Sequence, residues 1–203
     1  MGEIQSTSNK TEPQQKRAIE TREKLISAAV ELFNEKGFYD TTTKDISKKA
    51  GVSIGIFYNY FKDKSKIYYE CINLSYDIGN VDLLKLAGEI FEDGISKEKI
   101  YDYFYSGLEH IKPRFKILSE RDRIRADYPE IDELIKKRDK EAIKIISDHL
   151  LGEDSEIAAK LITETTSRNT IVISTMEDPK DQEKYMKYLA DMIYYFCEKY
   201  QKK

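Results

Sequence analysis

Apolar residues recur every three or four positions along most of the chain, which is the spacing of one face of an α-helix. The stretch 17–36 has this pattern and ends at Gly37, a residue type common just after a helix. No stretch alternates apolar and polar residues as a half-buried strand does. The sequence therefore predicts an all-α protein of about nine or ten helices. Beyond residue 63, helices are predicted at about 64–78, 81–93, 96–111, 114–126, 129–151, 154–176 and 179–199.

Two short helices joined by a sharp turn are predicted within residues 42–61. Thr42 can cap the first of them, and Asp45 can return a carboxylate to the backbone of the cap. Gly51 supplies the conformational freedom for the turn, and Ser53 can cap the second helix. This order of elements is typical of a helix-turn-helix, which places its second helix in the major groove of DNA.

The same segment resembles the DNA-binding domain of the TetR family of transcriptional regulators. The matching positions are Thr41, Thr42, Ile46, Ser47, Ala50, Gly51, Val52, Ser53, Gly55, Tyr58, Tyr60, Phe61 and Lys64. The run 21–38 resembles the first helix of the family, and the whole resemblance covers about a quarter of the chain. Ser47 stands where the family usually has alanine, and Ile56 and Phe57 replace a small residue and a leucine. The resemblance implies a transcriptional regulator, most often a repressor that a small-molecule effector releases from a palindromic operator.

The family motif also implies which residues contact double-stranded DNA. They are Thr42, Thr43, Lys44, Ser53, Ile54, Gly55, Tyr58, Asn59, Tyr60 and Lys64. Tyr58, Tyr60 and Lys64 match phosphate-contacting positions, so replacing Lys64 with alanine should weaken binding to all sequences alike. Few residues expected in the groove can hydrogen-bond to bases, so methyl contacts and DNA shape should supply much of the sequence preference.

Charge is distributed unevenly along the chain, whose net charge is −3. The stretch 44–66 contains six lysines and two aspartates, whereas the part beyond residue 64 holds 23 basic and 28 acidic residues. A basic surface on an acidic protein is expected where only that surface meets phosphates, although lysines can also simply solvate a helix. We expect a disordered tail at 1–16, a helix-turn-helix domain at 17–66 and an effector-binding and dimerisation domain at 67–203.

The larger domain carries an aromatic cluster that is a candidate effector pocket. The candidate residues are Phe91, Tyr101, Phe104, Tyr105, His110, Phe115, Tyr128 and Arg168. One interpretation is a cavity for an apolar or aromatic small molecule, with Arg168 or His110 facing a polar group. The alternative is ordinary core, with Arg168 paired to an acid at a dimer interface. The last two helices, about 154–176 and 179–200, resemble those through which the family forms homodimers.

Other functional classes have little support in the sequence. Two histidines and the lack of recognisable catalytic motifs argue against an enzyme, and we expect neither a cofactor nor a metal. Cys71 and Cys197 are distant lone thiols, expected to be buried, and no secretion signal or membrane span is evident. The sequence therefore indicates a cytoplasmic protein. The alternatives left open are a transcriptional activator of the same fold and a helical protein-binding adaptor.

Overall fold

The computed structural model describes the backbone of residues 11–92, 94–111 and 114–200, and the side chains of residues 14–78, 94–109 and 114–200. Within this part the secondary structure is helical, as the sequence pattern predicts. The α-helices are α1 (Thr11–Lys36), α2 (Thr43–Lys49), α3 (Ile54–Tyr60), α4 (Lys64–Glu92), α5 (Lys97–Ile111), α6 (Phe115–Ser119), α7 (Arg121–Asp127), α8 (Pro129–Ser147), α9 (Ser155–Ser174) and α10 (Pro179–Cys197). A single 3₁₀ turn, Glu198–Tyr200, follows α10. The chain divides into two compact units after Cys71.

The first unit packs α1, α2, α3 and the beginning of α4 around one apolar core. Leu25, Ala29 and Phe33 are fully buried on α1, because their spacing of four places them on one face. Phe38 follows this helix, and its ring lies 5.7 Å from that of Phe33 and 5.0 Å from that of Tyr68 on α4. These aromatic contacts hold the beginning of α4 against α1.

α1 begins earlier than the sequence pattern indicated. Residues 11–16, expected to belong to a disordered tail, are helical, and the remainder of that tail lies outside the described residues. Residues 14–20 are exposed, so they contribute nothing to the apolar periodicity from which the helix start was inferred. Gln, Lys, Arg and Ala nevertheless favour helix intrinsically, and Pro13 stands in the first turn, where proline is tolerated.

The second unit has a core formed mainly by α5, α8, α9 and α10. α10 packs along α5, and α8 packs along α9. Phe104 on α5, Ile146 on α8, Ile173 on α9 and Ile193 on α10 belong to the same buried cluster. No helix in the described ranges combines the length and the apolar character that a bilayer crossing requires.

Three predictions of helix bounds in the second unit differ from the structure. α4 continues through Gly79 to Glu92, where two helices had been expected, because an isolated glycine costs a helix only about 1 kcal/mol and does not end it. The single helix expected at 114–126 is divided at Glu120 into α6 and α7. α8 also ends at Ser147, four residues before the expected end.

Candidate nucleic-acid interface

α2 is fixed at its N-terminus by a reciprocal pair of hydrogen bonds. The backbone N–H of Asp45 donates to Thr42 Oγ1 at 3.1 Å, and the backbone N–H of Thr42 donates to Asp45 Oδ2 at 3.0 Å. The bond from the Thr42 backbone, together with a hydrogen bond from the Lys36 ammonium, lowers the pKa of Asp45 to about 2. The capping box predicted from the sequence is therefore present, and it uses the Thr42 hydroxyl.

The turn between α2 and α3 depends on Gly51 and Ser53. Gly51 has a φ of +70°, a conformation that favours glycine. The backbone N–H of Val52 then donates to Ser47 O at 3.0 Å, which closes the turn. Ser53 caps α3 by accepting a hydrogen bond from the backbone N–H of Ile56 at 3.3 Å. Local hydrogen bonds thus set where α3 begins and how it leaves the turn.

α3 presents two different faces. Phe57 is fully buried, and Phe61 just beyond the helix is nearly so, which anchors the helix to the core. The opposite face is exposed to solvent. It consists of Ser53, Ile54, Gly55, Ile56, Tyr58 and Asn59. Of these, the family motif implies that Ser53, Ile54, Gly55 and Asn59 face the major groove. A Cβ placed on Gly55 would meet only Ser53 Oγ, at 3.8 Å, so the protein itself leaves open space above that backbone.

The candidate phosphate-contacting tyrosines differ in their surroundings. Tyr58 is exposed, and its hydroxyl lies 3.3 Å from Thr43 Oγ1 on α2. This contact places two of the expected DNA-binding hydroxyls side by side on neighbouring helices. Tyr60 is only half-exposed. The structure therefore brings Tyr58 and Thr43 together as one polar surface, in a way that sequence spacing alone did not show.

Lys64 points into the first unit instead of outward. Its ammonium donates to the carbonyl oxygens of Phe38 at 2.5 Å, Thr41 at 2.8 Å and Tyr39 at 3.3 Å. It also lies 4.3 Å from the centre of the Phe38 ring. Three carbonyl oxygens match the three protons of an ammonium group, which leaves it poorly placed to bind a phosphate. This geometry disagrees with the expectation that Lys64 is a phosphate contact, and it favours a role in fixing the loop before α2.

The other lysines near the interface fall into two groups. Lys36 pairs with Asp45 at 3.1 Å, and Lys49 pairs with Glu31 and Glu35 at 2.9 Å each. A second group is exposed and, among the described residues, has no hydrogen-bonded or ion-paired partner. This group consists of Lys44, Lys48 and Lys62. Only Lys44 was among the expected DNA contacts, and the paired lysines show why a count of lysines overstates the available positive charge.

The described candidate effector residues differ widely in burial. Phe104 is buried in the core, and Tyr105 is exposed with its ring 6.5 Å from that of Tyr101. Phe115 and Tyr128 are half-buried, and Arg168 is exposed on α9. The side chains of Phe91 and His110 lie outside the described residues. The expectation that Arg168 faces a pocket disagrees with its exposure, because its position on α9 is opposite the buried face.

A largely buried arginine that sequence reasoning missed lies elsewhere in this unit. Arg121 on α7 donates to the Tyr76 hydroxyl at 3.1 Å and to Ser167 Oγ at 3.0 Å. The Tyr76 hydroxyl in turn donates to Asp139 Oδ1 at 3.1 Å, and burial raises the pKa of Asp139. Arg121 Nε is buried without a hydrogen-bond partner, and the nearest carboxylate oxygen, on Asp122, is 3.8 Å away. Nothing in the charged run 120–127 distinguishes this arginine from its exposed neighbours.

Both cysteines are buried free thiols. Burial raises the pKa of Cys197 to about 12 and raises that of Cys71 as well. A thiol reacts as its thiolate, so neither side chain has the exposed, acidic character of a redox-sensing cysteine. Within the described ranges, no group of three or more His, Cys, Asp or Glu residues is arranged to hold a metal ion.

Comparison with known proteins agrees with this arrangement. Residues 25–71 match the family of bacterial regulatory proteins called the tetR family. The chain is 48% identical to the HTH-type transcriptional regulator HbdR of Aromatoleum sp. over 50 residues, which is 25% of this chain and 22% of HbdR. It is 40% identical to the HTH-type transcriptional regulator AcrR of Shigella flexneri over 67 residues, 32% of this chain and 31% of AcrR. The matched segments thus span less than a third of these two relatives.

The fold also extends beyond the matched segment. A crystal structure of a protein from Mesorhizobium loti, assigned to the TetR family, superimposes with a TM-score of 0.73 at 14% identity. The superposition covers 92% of this chain and 99% of that one, so the second unit shares the fold as well. The first unit therefore matches the tetR family of bacterial regulatory proteins in sequence, and the chain shares the fold of this TetR-family structure.

Proposed function

We propose that this protein is a DNA-binding transcriptional regulator that acts as a repressor, and that a small-molecule effector bound in its second unit releases it from DNA. The observation that supports DNA binding most directly is the solvent-exposed face of α3. Most of that face lies in solvent, whereas Phe57 and Phe61 on the other side are buried in the core of the first unit. A recognition helix needs this combination of an anchored and an open face.

The proposed contacts follow from the exposed groups. The backbone of α3 approaches the groove at Gly55, where no side chain intervenes, and Ile54 contacts a thymine methyl. The adjacent hydroxyls of Tyr58 and Thr43 bind phosphate oxygens, as do the unpaired ammonium groups of Lys44 and Lys48. Lys64 acts indirectly by holding the loop before α2. Base contacts set the sequence preference, and phosphate contacts set the register.

We propose that two copies act together through the last two helices, α9 and α10. Both helices have a buried face and an exposed face, and the exposed faces carry large apolar side chains that a monomer leaves in water. On α10 these are Tyr188, Met192 and Tyr195. A two-fold dimer presents two recognition helices to two half-sites, so the operator is a palindrome.

The proposed effector site includes the cluster around Arg121. A largely buried guanidinium whose hydrogen bonds go to hydroxyls, and whose buried Nε has no hydrogen-bond partner, is suited to a ligand that carries a carbonyl or anionic group. The aromatic side chains of the second unit remain candidates for the apolar part of the ligand. An effector that binds the DNA-free state more tightly by about 1–3 kcal/mol weakens DNA affinity roughly 5- to 150-fold.

DNA binding is tested by selecting a duplex from a random pool and measuring its affinity by fluorescence anisotropy at several salt concentrations. The double variant Lys44→Ala/Lys48→Ala should bind all duplexes more weakly and flatten the plot of log affinity against log salt by about two units per subunit. The matched control is Lys136→Ala/Lys137→Ala, which removes the same charge from the exposed side of α8. Equal losses in the two variants, or no duplex binding by the wild type, would contradict the proposal.

A further inference from the structure

The exposed face of α9 carries an ordered pattern of apolar and charged residues. Ile157 and Leu161 are 63% and 53% exposed near its N-terminal end, and Val172 is 43% exposed near its C-terminal end. Between them, on the same face, stand Glu164 and Arg168, both exposed. The face is therefore apolar at each end and charged in the middle, with one acid and one base separated by a single helical turn.

The apolar ends of this face are not explained by the core of the second unit. α9 already buries its opposite face through Ala158, Ala159, Ile162 and Ile173. A helix that is apolar on two sides needs cover on both. Large apolar side chains exposed along one line mark a surface for a protein partner.

Among the described residues, the two central charges form no ion pair, although Glu164 lies within electrostatic reach of Arg121. Glu164 and Arg168 are spaced at i and i+4, which permits an intrahelical ion pair, but the described ion pairs include neither residue. Other helical pairs at this spacing do form, such as Lys144 with Asp148 at 3.0 Å and Lys187 with Glu183 at 2.6 Å. The charges of Glu164 and Arg168 are thus available to a second molecule.

A second copy of this chain has the complementary pattern. When a two-fold axis passes between residues 164 and 168, perpendicular to the helix, the two α9 helices cross in opposite directions. Residue 164 of each copy then faces residue 168 of the other, and the apolar ends lie outside this charged centre. The face is complementary to itself in charge, which a face bearing two acids or two bases would not be.

We propose that Glu164 pairs with the partner's Arg168, and Arg168 with the partner's Glu164, at the centre of an isologous α9 interface, and that these two ion pairs select a second copy of this chain over other helical partners. This inference rests on the proposed dimer and adds the residues that determine its specificity. The flanking apolar contacts supply most of the affinity, because exposed ion pairs contribute little. The charges act chiefly by excluding partners that place like charges together.

Charge reversal provides a direct test by analytical ultracentrifugation. Glu164→Arg places four arginines at the axis, and Arg168→Glu places four glutamates there. Each variant should raise the dimer dissociation constant about 10-fold or more, because like charges face each other. The double variant Glu164→Arg/Arg168→Glu restores opposite charges and should return the constant to within about three-fold of wild type. Lys144→Glu, an equal charge reversal on exposed α8, is the control and should leave the constant unchanged.

Mixing the two single variants gives a second readout. The arginine variant supplies two bases and the glutamate variant two acids, so native mass spectrometry should show mostly heterodimers instead of the statistical half. Wild-type-like dissociation constants in both single variants, or a statistical mixture, would overturn the assigned ion pairs while leaving the dimer intact. A wild-type chain that is monomeric at micromolar concentration would instead overturn the dimer of the proposed function.

Discussion

Lys62 and Lys64 stand two positions apart in the chain, yet their ammonium groups have different surroundings. That of Lys64 donates to three backbone carbonyl oxygens, whereas Lys62 is exposed and, in the described structure, unpaired. Lys64→Met should lower the free energy of unfolding by about 1–3 kcal/mol, because it removes charge-assisted hydrogen bonds to three backbone carbonyl oxygens. Lys62→Met should change it by less than about 0.5 kcal/mol.

The salt dependence of DNA binding should also differ between the two variants. Here the Lys62 variant should show the larger change, whereas in stability the Lys64 variant does. If Lys62 lies near a phosphate, Lys62→Met flattens the salt slope by about one unit per subunit, whereas Lys64→Met lowers affinity with an unchanged slope. Urea unfolding and anisotropy titrations at several salt concentrations measure the two effects. A flatter slope in Lys64→Met, with unaltered stability, would show instead that Lys64 contacts a phosphate, as the family motif implies.

Gly55 offers a second test at the scale of one residue. A Cβ there meets only Ser53 Oγ at 3.8 Å, so Gly55→Ala should not destabilise the protein and should favour α3 by up to about 1 kcal/mol. DNA binding should nevertheless fall about 10-fold or more, because the methyl group holds the backbone away from the groove. Gly107→Ala on α5, where a Cβ also meets no neighbour, is the control for both measurements. Unchanged DNA affinity in Gly55→Ala would rule out a close backbone approach.

Among the elements, α2 depends on an ionised cap. The pKa of Asp45 falls from 3.8 to about 2 because the carboxylate accepts the Thr42 backbone N–H and the Lys36 ammonium. A lowered pKa means that the charged form stabilises the fold fully above pH 3.8, and that this stabilisation disappears as pH falls towards 2. Asp45→Asn should therefore have a lower melting temperature than wild type at pH 7, and the difference should shrink below pH 3.8. If the difference in melting temperature did not depend on pH, the charge of Asp45 would not be what stabilises the start of α2.

The sequence predicted elements well where a local signal marks them. Both ends of α2 and the start of α3 are set by residues that interact only with near neighbours in the chain. These residues are Thr42, Asp45, Gly51 and Ser53, and their residue types alone were enough to predict the boundaries. α4 was predicted too short, since a single glycine costs a helix only about 1 kcal/mol and does not end it. Local signals therefore sufficed for α2 and the start of α3, but not for the start of α1 or the length of α4.

In the candidate sites, the features that the sequence did not predict depend on residues distant in the chain. The inward direction of Lys64 depends on a loop 23 to 26 residues away, and Arg121 reaches Tyr76 and Ser167 across 45 and 46 residues. No periodicity in the sequence encodes such contacts. The side chains that the motif places towards DNA on α3 are exposed, but the motif could not show that the Lys64 ammonium is directed into the first unit.

For the molecule as a whole, the proposed two-fold dimer makes DNA binding bivalent. Two recognition helices on one face of B-DNA need half-sites about 34–36 Å apart, one helical turn, or a multiple of that distance. Inserting five base pairs at the centre of the selected operator moves one half-site by about 17 Å and turns it to the opposite face of the duplex. The second subunit of the dimer can then no longer place its recognition helix in a half-site, and DNA affinity should fall by about 10²- to 10⁴-fold.

Anisotropy titration of the original and the lengthened operator measures this loss, with five base pairs inserted outside the half-sites as the control. The Glu164→Arg variant should bind both operators with similarly low affinity, because its weakened dimer gains little from a second half-site. A wild-type protein that binds both operators equally tightly would show that each first unit acts alone. The ratio of the two operator affinities therefore measures how much dimerisation through α9 contributes to DNA binding by α3.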